Sequence, residues 1–250
     1  MAQREDLDLI GLTISNVTVD QALEMIDQAS EGRSVMHFVN AHCINVAAKD
    51  RDYYRILQSA SALFADGSGI RLAGKLLHVP IVDNVNGTDL FPLICKLFAQ
   101  RKRRMYLLGA APSVAEKSAA WANSHVETDI IAGYHHGFFD SEDEERAVVA
   151  EINESRADLL LVAMGVPMQE KWIDRYRDSL EVPLCMGVGG LFDFYSGTIR
   201  RAPKWMRSLG IEWVWRLLME PRRMWHRYIV GNWIFVLRLL RIRMEQRRSD

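Results

Sequence analysis

The 250-residue sequence predicts an α/β protein, a mostly parallel sheet flanked by helices, with a basic helical appendage at its C-terminal end. Three observations lead there. Short β-branched or apolar runs alternate with longer stretches of helical period, and strands that return to a sheet through helices pair in parallel. Ser/Thr-x-x-Gln/Glu pairs open several of the helical stretches. The charge then changes sign near Thr198, where the alternation gives way to helix: residues 1–197 hold 18 Lys and Arg against 28 Asp and Glu, whereas residues 198–250 hold 13 against 4. That point divides the chain into an α/β domain, 1–197, and a basic, Trp-rich appendage, 198–250.

Strands are expected over residues 9–14, 35–39, 62–65, 104–108, 129–132, 159–164 and 184–188, each short and largely apolar. Helices fill the gaps. Capping boxes are expected at Thr18 with Gln21, Ser113 with Glu116 and Ser141 with Glu144, where side chains satisfy the N–H groups left unpaired by a first helical turn. Beyond Leu209 the pattern gives two helices, about 210–220 and about 222–246, with Pro221 well suited to the first position of the second. On a continuous second helix Arg223, Arg227, Arg238, Arg241 and Arg248 fall near one face, although Ile234 intrudes on it.

Several classes of protein are disfavoured. Cys43, Cys95 and Cys185 lie far apart without a CxxC pair, which indicates neither a disulfide framework nor a structural zinc site and makes a reducing compartment the default. His135 and His136 with Asp140 come nearest to a metal cluster, but adjacent histidines diverge on a strand, so no metal is assigned. The acidic start MAQREDLDLIGL is not laid out as a secretory signal, which predicts a cytoplasmic start. The longest apolar stretch, residues 229–237, is broken by Gly231 and Asn232 and falls well short of the ~20 residues that span a bilayer. Five of the seven tryptophans, Trp205, Trp213, Trp215, Trp225 and Trp233, sit in the basic tail. That mixture suits an anionic membrane surface, where each Lys or Arg contributes about 1 kcal/mol. A basic helical cap packed on the domain is the competing reading.

In open α/β sheets ligands bind beyond the carboxyl ends of the strands. The residues following five expected strands are Asn40-Ala-His42, Asp66-Gly-Ser-Gly69, Gly109-Ala-Ala-Pro112, Gly165-Val-Pro-Met-Gln169 and Gly189-Gly-Leu-Phe-Asp193, all polar or Gly-rich. Together they suggest a nucleotide-sized crevice. Asp66 is the best candidate for chemistry, since a carboxylate followed by two glycines can act as a base on a sugar hydroxyl while a ligand approaches the backbone. The plainer reading is an Asp that caps the next helix. Gly67-x-Gly69 lacks the third glycine of a dinucleotide fingerprint, and no P-loop lysine is present.

The ordered set Ala65-Asp66-Gly67, Asn86-Gly87-Thr88-Asp89-Leu90, Leu107-Leu108-Gly109, Gly165-x-Pro167-x-Gln169-Glu170-Lys171-Trp172, Gly187-Val-Gly189-Gly190-x-Phe192-Asp193-Phe194-x-Ser196-Gly197, Arg201-Ala-Pro203-x-Trp205, Glu212-Trp213 and Glu220-Pro221-Arg222-Arg223 resembles the WecG/TagA/CpsF glycosyltransferase family. The match runs in order from about residue 9 to 228.

The resemblance implies a Rossmann-like enzyme that moves a sugar (N-acetylmannosamine, its uronic acid or glucose) from a UDP-sugar to a polyprenyl-diphosphate-linked saccharide. It would do so with inversion and without a required metal or cofactor, at the inner face of the plasma membrane, in surface polysaccharide biosynthesis. Asp66 would be the base, Asn40 and Gln169 would line the sugar and acceptor pocket, and Asn86, Gly87, Thr88 and Asp89 would open a helix facing donor phosphate. Gly67, Gly109 and Gly189 would let the ligand approach the backbone. Arg216, Arg222 and Arg223 would contact the diphosphate as the tail closes over the donor. One place departs from the family pattern: Asn84 stands where Arg precedes Val-x-Gly, so either the tail supplies the missing cation or the donor differs. Two alternatives are a membrane-associated nucleotide-binding scaffold without turnover and a nucleic-acid-binding tail. The acidic body argues against nucleic acid, and formation of a homo-oligomer is left open.

Overall fold

The computed structural model describes residues 5–249, with side chains through residue 245. The chain opens with β1 (Leu7–Leu9) and β2 (Leu12–Ile14), an antiparallel hairpin in the place of one expected strand over 9–14. Ile10 and Gly11 both take positive φ, the combination that a tight two-residue hairpin turn requires, and the Tyr54 hydroxyl donates to the Ile10 carbonyl to hold it. Helix α1 (Val19–Ala29) begins with the expected capping box at Thr18 and Gln21. Next come β3 (Ser34–Val39), α2 (Ala41–Ala47), α3 (Arg51–Gln58), β4 (Ala62–Ala65), α4 (Gly67–Leu76) and α5 (Gly87–Arg101). The chain continues through β5 (Met105–Gly109), α6 (Val114–Val126), β6 (Ile131–His135), α7 (Glu142–Glu154), β7 (Leu159–Ala163), α8 (Met168–Tyr176), β8 (Leu184–Gly187) and α9 (Leu191–Tyr195).

Six strands form one parallel sheet in the order β4-β3-β8-β7-β5-β6. Strand residues alternate between its two faces. Leu107, Leu161 and Met186 pack against α1, α5, α6 and α9, whereas Tyr106, Leu160 and Cys185 pack against α7 and α8. Val39, Leu63 and Ala65 at the β4 edge pack against α2, α3 and α4. The hydrogen-bonded neighbours β3 and β8 send their following helices, α2 and α9, to opposite faces, and a crevice opens between helices that diverge in this way.

Two further expectations shift. Strand β6 starts at Ile131 instead of 129, because the Asn123 side chain accepts from the Ile130 and Ile131 N–H groups and holds the approach as a turn. It runs on through Gly133, where a Cβ would lie 2.5 Å from the Tyr106 ring. Since the strand ends at His135, the His135 and His136 rings do not diverge and stand 4.3 Å apart. Ser113 is no cap: it has φ +68° and its hydroxyl makes no capping bond. Ser141 does accept from Glu144 N–H, but the Glu144 carboxylate accepts from Asp140 N–H, so only half of that box forms.

The tail differs from the expected pair of helices. It contains α10 (Lys204–Ser208), α11 (Glu212–Met219) and α12 (Pro221–Trp225), then a π-helical turn over His226–Val230 that leads into α13 (Gly231–Ser249). Pro221 opens α12 as its residue type suggests. The π turn shifts the register, and π turns of this kind gather at functional sites. As a result the arginines do not share one face. Arg227 is half-buried and Arg223, though exposed, also lines the cavity, while Arg241 is exposed and pairs with Glu245 on its own helix at 2.8 Å; the Arg248 side chain lies outside the described residues. Helix α13 is seated firmly, with Phe235 and Leu239 in the core beside α2 and α4, each worth about 1.5–3 kcal/mol of burial. The Asn45 amide also donates to the Gly231 carbonyl at 2.7 Å.

Candidate active site

A cavity of about 590 Å³ lies over the carboxyl ends of β3, β4, β7 and β8 and is roofed by α11, α12, the π turn and α13. Its floor is polar. Asn40 caps α2: its side-chain oxygen accepts from the His42 and Cys43 N–H groups at 3.1 and 3.3 Å. With the oxygen so occupied, the amide nitrogen faces the Asp66 carboxylate at 3.2 Å. Asp66 occupies the cap position of α4 but makes no capping bond, so its carboxylate is left to the cavity. The Asp66 N–H continues the sheet ladder to the Val39 carbonyl at 2.9 Å, which fixes the residue at the strand end. Burial pushes its pKa above the usual carboxylate value, against the Asn40 hydrogen bond and the charges of Arg227 and Arg216. Such a shift brings a carboxylate closer to the range where a general base works.

The roof supplies cations. Arg207, Arg216, Arg223 and Arg227 all line the cavity. Arg216 packs over the Phe194 ring at 4.9 Å and stands close to Gly190, where a Cβ would come within 3.2 Å of its guanidinium. Glu220 faces both Arg216 and Arg223, at 3.4 and 3.0 Å. Arg207 and Arg201 meet Asp89 at 3.3 and 2.6 Å. Arg227 forms no ion pair among the described residues, and its charge acts on Asp66 and on His42. The His42 imidazole is pushed down to about 4, by burial first and then by Arg227 and His226, so it lines the cavity as a neutral group. A carboxylate on the floor opposite a bank of guanidinium groups suits the transfer of a group away from a phosphate leaving group.

The family model described as glycosyl transferase WecG/TagA/CpsF matches residues 7–249. The chain belongs to this glycosyltransferase family. It is similar to an N-acetylglucosaminyldiphosphoundecaprenol N-acetyl-beta-D-mannosaminyltransferase of Bacillus subtilis strain 168, with 34% identity over 197 residues, 78% of this chain and 75% of the relative. A protein of the same name from Staphylococcus aureus strain MW2 is 32% identical over 221 residues, covering 87% of this chain and 86% of the relative.

Within this glycosyltransferase the cavity wall gathers Asn40, Asp66, Gly67, Asn86, Gly87, Thr88, Gln169, Gly189, Arg216 and Arg223 from the residues named on sequence grounds. Three others stand elsewhere. Asp89 is drawn off by Arg201, Arg207 and the Asn86 amide, and serves to tie the tail to α5. Gly109 ends β5, away from the crevice, and its lack of a side chain answers a backbone contact: a Cβ there would sit 2.5 Å from the Ala163 carbonyl oxygen. Arg222 is exposed on the outer side of α12 and does not reach the cavity. Asn84 proves to be a brace, accepting from the Gly67 N–H and so fixing the loop beside Asp66.

Sequence reasoning overlooked Arg207, Arg227, His42 and Glu212 as wall residues. Arg207 and Arg227 were hidden among the 13 basic residues of the tail, and no pattern distinguishes inward from outward positions across a π turn. Glu212 brings a second carboxylate into the cavity, its pKa raised by burial against the nearby Arg201, with Asp89 and Asp66 adding to the rise. Among the described residues no three His, Cys, Asp or Glu side chains are grouped as metal ligands.

Beneath the floor, Glu170 is fully buried and its pKa is pushed up to about 7 by that burial, from an ordinary 4.5. A carboxyl raised in the folded state favours folding while it is neutral, and that contribution is lost as the pH climbs from about 4.5 to about 7. Glu170→Gln removes the titration. Its stability advantage over wild type should therefore be larger at pH 8 than at pH 5, by about 3 kcal/mol. Urea midpoints at the two pH values measure this difference.

Proposed function

We propose that this glycosyltransferase moves an N-acetylmannosaminyl-type sugar from a UDP-sugar to a polyprenyl-diphosphate-linked saccharide, with inversion and without a required metal. The observation that carries this reading is the Asp66 carboxylate, set by Asn40 on the cavity floor opposite Arg216, Arg223 and Arg227. The acceptor and the moving sugar follow the names of the two relatives. The acceptor hydroxyl attacks the anomeric carbon, and Asp66 takes its proton. The bond from that carbon to the diphosphate oxygen breaks, and UDP leaves with the electron pair beneath the guanidinium groups. The three tail arginines stand in for the cation that Asn84 does not provide. Gly87 and Thr88, at the amino end of α5, offer backbone to the donor phosphates.

The appendage also meets the membrane in this reading, with residues 1–197 as the catalytic domain and 198–250 as its roof. Among the described residues no helix is long and apolar enough to cross a bilayer. Trp205, Trp225 and Trp233 are exposed, with Leu209, Leu218 and Leu237, and can sit at headgroup depth on the cytoplasmic leaflet. The other two tryptophans are occupied: Trp213 lines the cavity and the Trp215 indole donates to the Arg200 carbonyl at 2.9 Å. Replacing Trp205, Trp225 and Trp233 together by Ser is expected to cut flotation with anionic vesicles about tenfold and to spare turnover of a short-chain, water-soluble acceptor.

The decisive assay mixes purified protein with UDP-N-acetylmannosamine and an N-acetylglucosamine linked through diphosphate to a short prenyl chain. One UDP released per disaccharide formed is the expected result. Tight UDP binding without transfer from this donor, its uronic acid or UDP-glucose would replace the enzyme reading with a nucleotide-binding scaffold.

A further inference from the structure

The cavity floor depends on one amide. The Gln169 side-chain oxygen accepts from the Gly165 N–H at 3.2 Å and from the Gly189 N–H at 2.9 Å. It therefore ties the loop after β7 to the loop after β8, and both glycines line the cavity. A glutamine amide has two ends of almost equal size, and nothing in Gln169 itself selects which end faces the loops. The selection comes from its partners: the two glycine N–H groups call for the oxygen, and the next residue takes the nitrogen. The Gln169 nitrogen donates to the Glu170 carboxylate at 2.8 Å. In its ionised form, favoured above about pH 7, the carboxylate only accepts, so it takes the NH₂ end and reinforces the oxygen's place against the glycines. Turning the amide round would set NH₂ against two N–H donors and an oxygen against a carboxylate, and would lose all three bonds.

Stability gives no reason for a carboxylate at position 170. Its second oxygen has no partner, and no basic side chain pairs with it among the described residues. The groups around it bring no cation. Cys43 on α2 and Tyr53 on α3 feel its charge, and the neighbouring Lys171 is turned away to Asp50 at 2.7 Å. His37 on β3 lies beside Gln169 against Gly187, and burial keeps its ring neutral by pushing its pKa down to about 4. Replacing an uncompensated buried charge by an apolar group of the same size is commonly neutral or stabilising. A carboxylate retained in such a place points to a directional task.

We propose that Glu170 is a positioning residue: its carboxylate fixes the orientation of the Gln169 amide and thereby clamps the two glycine loops that form the floor beside Asp66. The effect on turnover rests on the transferase reading above; the clamp itself does not. The test compares Glu170→Met, which keeps the volume and removes the acceptor, with Glu170→Gln, which keeps an acceptor oxygen, and with Gln169→Ala, which removes the clamp. Exchange of the Gly165 and Gly189 amide hydrogens is followed by NMR in the full-length, ¹⁵N-glycine-labelled protein. Glu170→Met and Gln169→Ala should each speed exchange at both amides by about tenfold or more, the factor carried by one hydrogen bond of ordinary strength, while the sheet glycine Gly187 keeps its protection. Glu170→Gln should restore both amides to near the wild-type rate.

A purely space-filling role would instead leave Met and Gln alike. Wild-type exchange at Gly165 and Gly189 in a folded Glu170→Met protein overturns the proposal, and so does a Glu170→Gln protein whose two amides open as fast as those of Gln169→Ala. Donor KM and kcat measured on the same samples should follow the exchange, with Met impaired and Gln close to wild type. If no sample, wild type included, transfers sugar, the transferase reading fails while the exchange pattern still decides the clamp.

Discussion

Asp66→Asn should lower kcat by about 10²–10⁴-fold, the usual contribution of a general base, with little change in folding or UDP affinity. The substitution is nearly isosteric, and the new amide oxygen can still accept from Asn40, whose own oxygen remains bound to the amino end of α2. Only the basicity is removed. In the wild-type enzyme Asp66 must be ionised to act, so kcat/KM should fall as the pH drops through its pKa, which burial has raised above the ordinary carboxylate value. The Asn variant should lose that acid limb together with its rate. Turnover within a few-fold of wild type in a folded Asp66→Asn protein would assign the proton transfer to another group, and Glu212 in the same cavity would be the first to examine.

Deleting residues 198–250 should abolish transfer altogether. The deletion removes Arg216, Arg223 and Arg227 from the cavity and uncovers the core positions beside α2 and α4 that Phe235 and Leu239 fill. These two consequences can be separated by single changes. Phe235→Ala should destabilise the fold by about 3–5 kcal/mol, the range for truncating a buried Phe, and lower the melting temperature. Arg227→Ala should leave the melting temperature near that of wild type and reduce kcat by about 10²–10³-fold, the cost of losing one group that stabilises developing charge. An Arg227→Ala protein with undiminished kcat would mean that the diphosphate is held elsewhere along the wall.

What could be foreseen depended on how local the cause was. The alternation of strand and helix, the capping box at Thr18 and the helix start at Pro221 depend on neighbours in sequence, and the structure agrees with them. Asp66 and Gln169 could be named because they follow strands, and in a parallel sheet the residues after strands gather at one edge. Errors arose where a distant partner intervened. Ser113 carries the letters of a capping box, yet the loop before α6 puts it at positive φ and its hydroxyl out of reach. Gly109 resembles a ligand-approach glycine, but strand order places β5 outside the crevice and the missing side chain answers Ala163. Asn84 does lack the family's cation, but its bond to a backbone group 17 residues earlier in the chain had no local sign.

By itself, then, the sequence determined the class of fold and the family, because side-chain period, helix caps and ordered motifs are written within a few residues of one another. Only the tertiary structure decided which arginines line the cavity, that the tail roofs it, and that Asn40 meets Asp66 and Gln169 meets Glu170. Those outcomes depend on one register shift at the π turn and on hydrogen-bond directions between segments far apart in the chain. Such directions have no local signature, since an amide or a guanidinium has the same propensity whether it points toward a cavity or toward water.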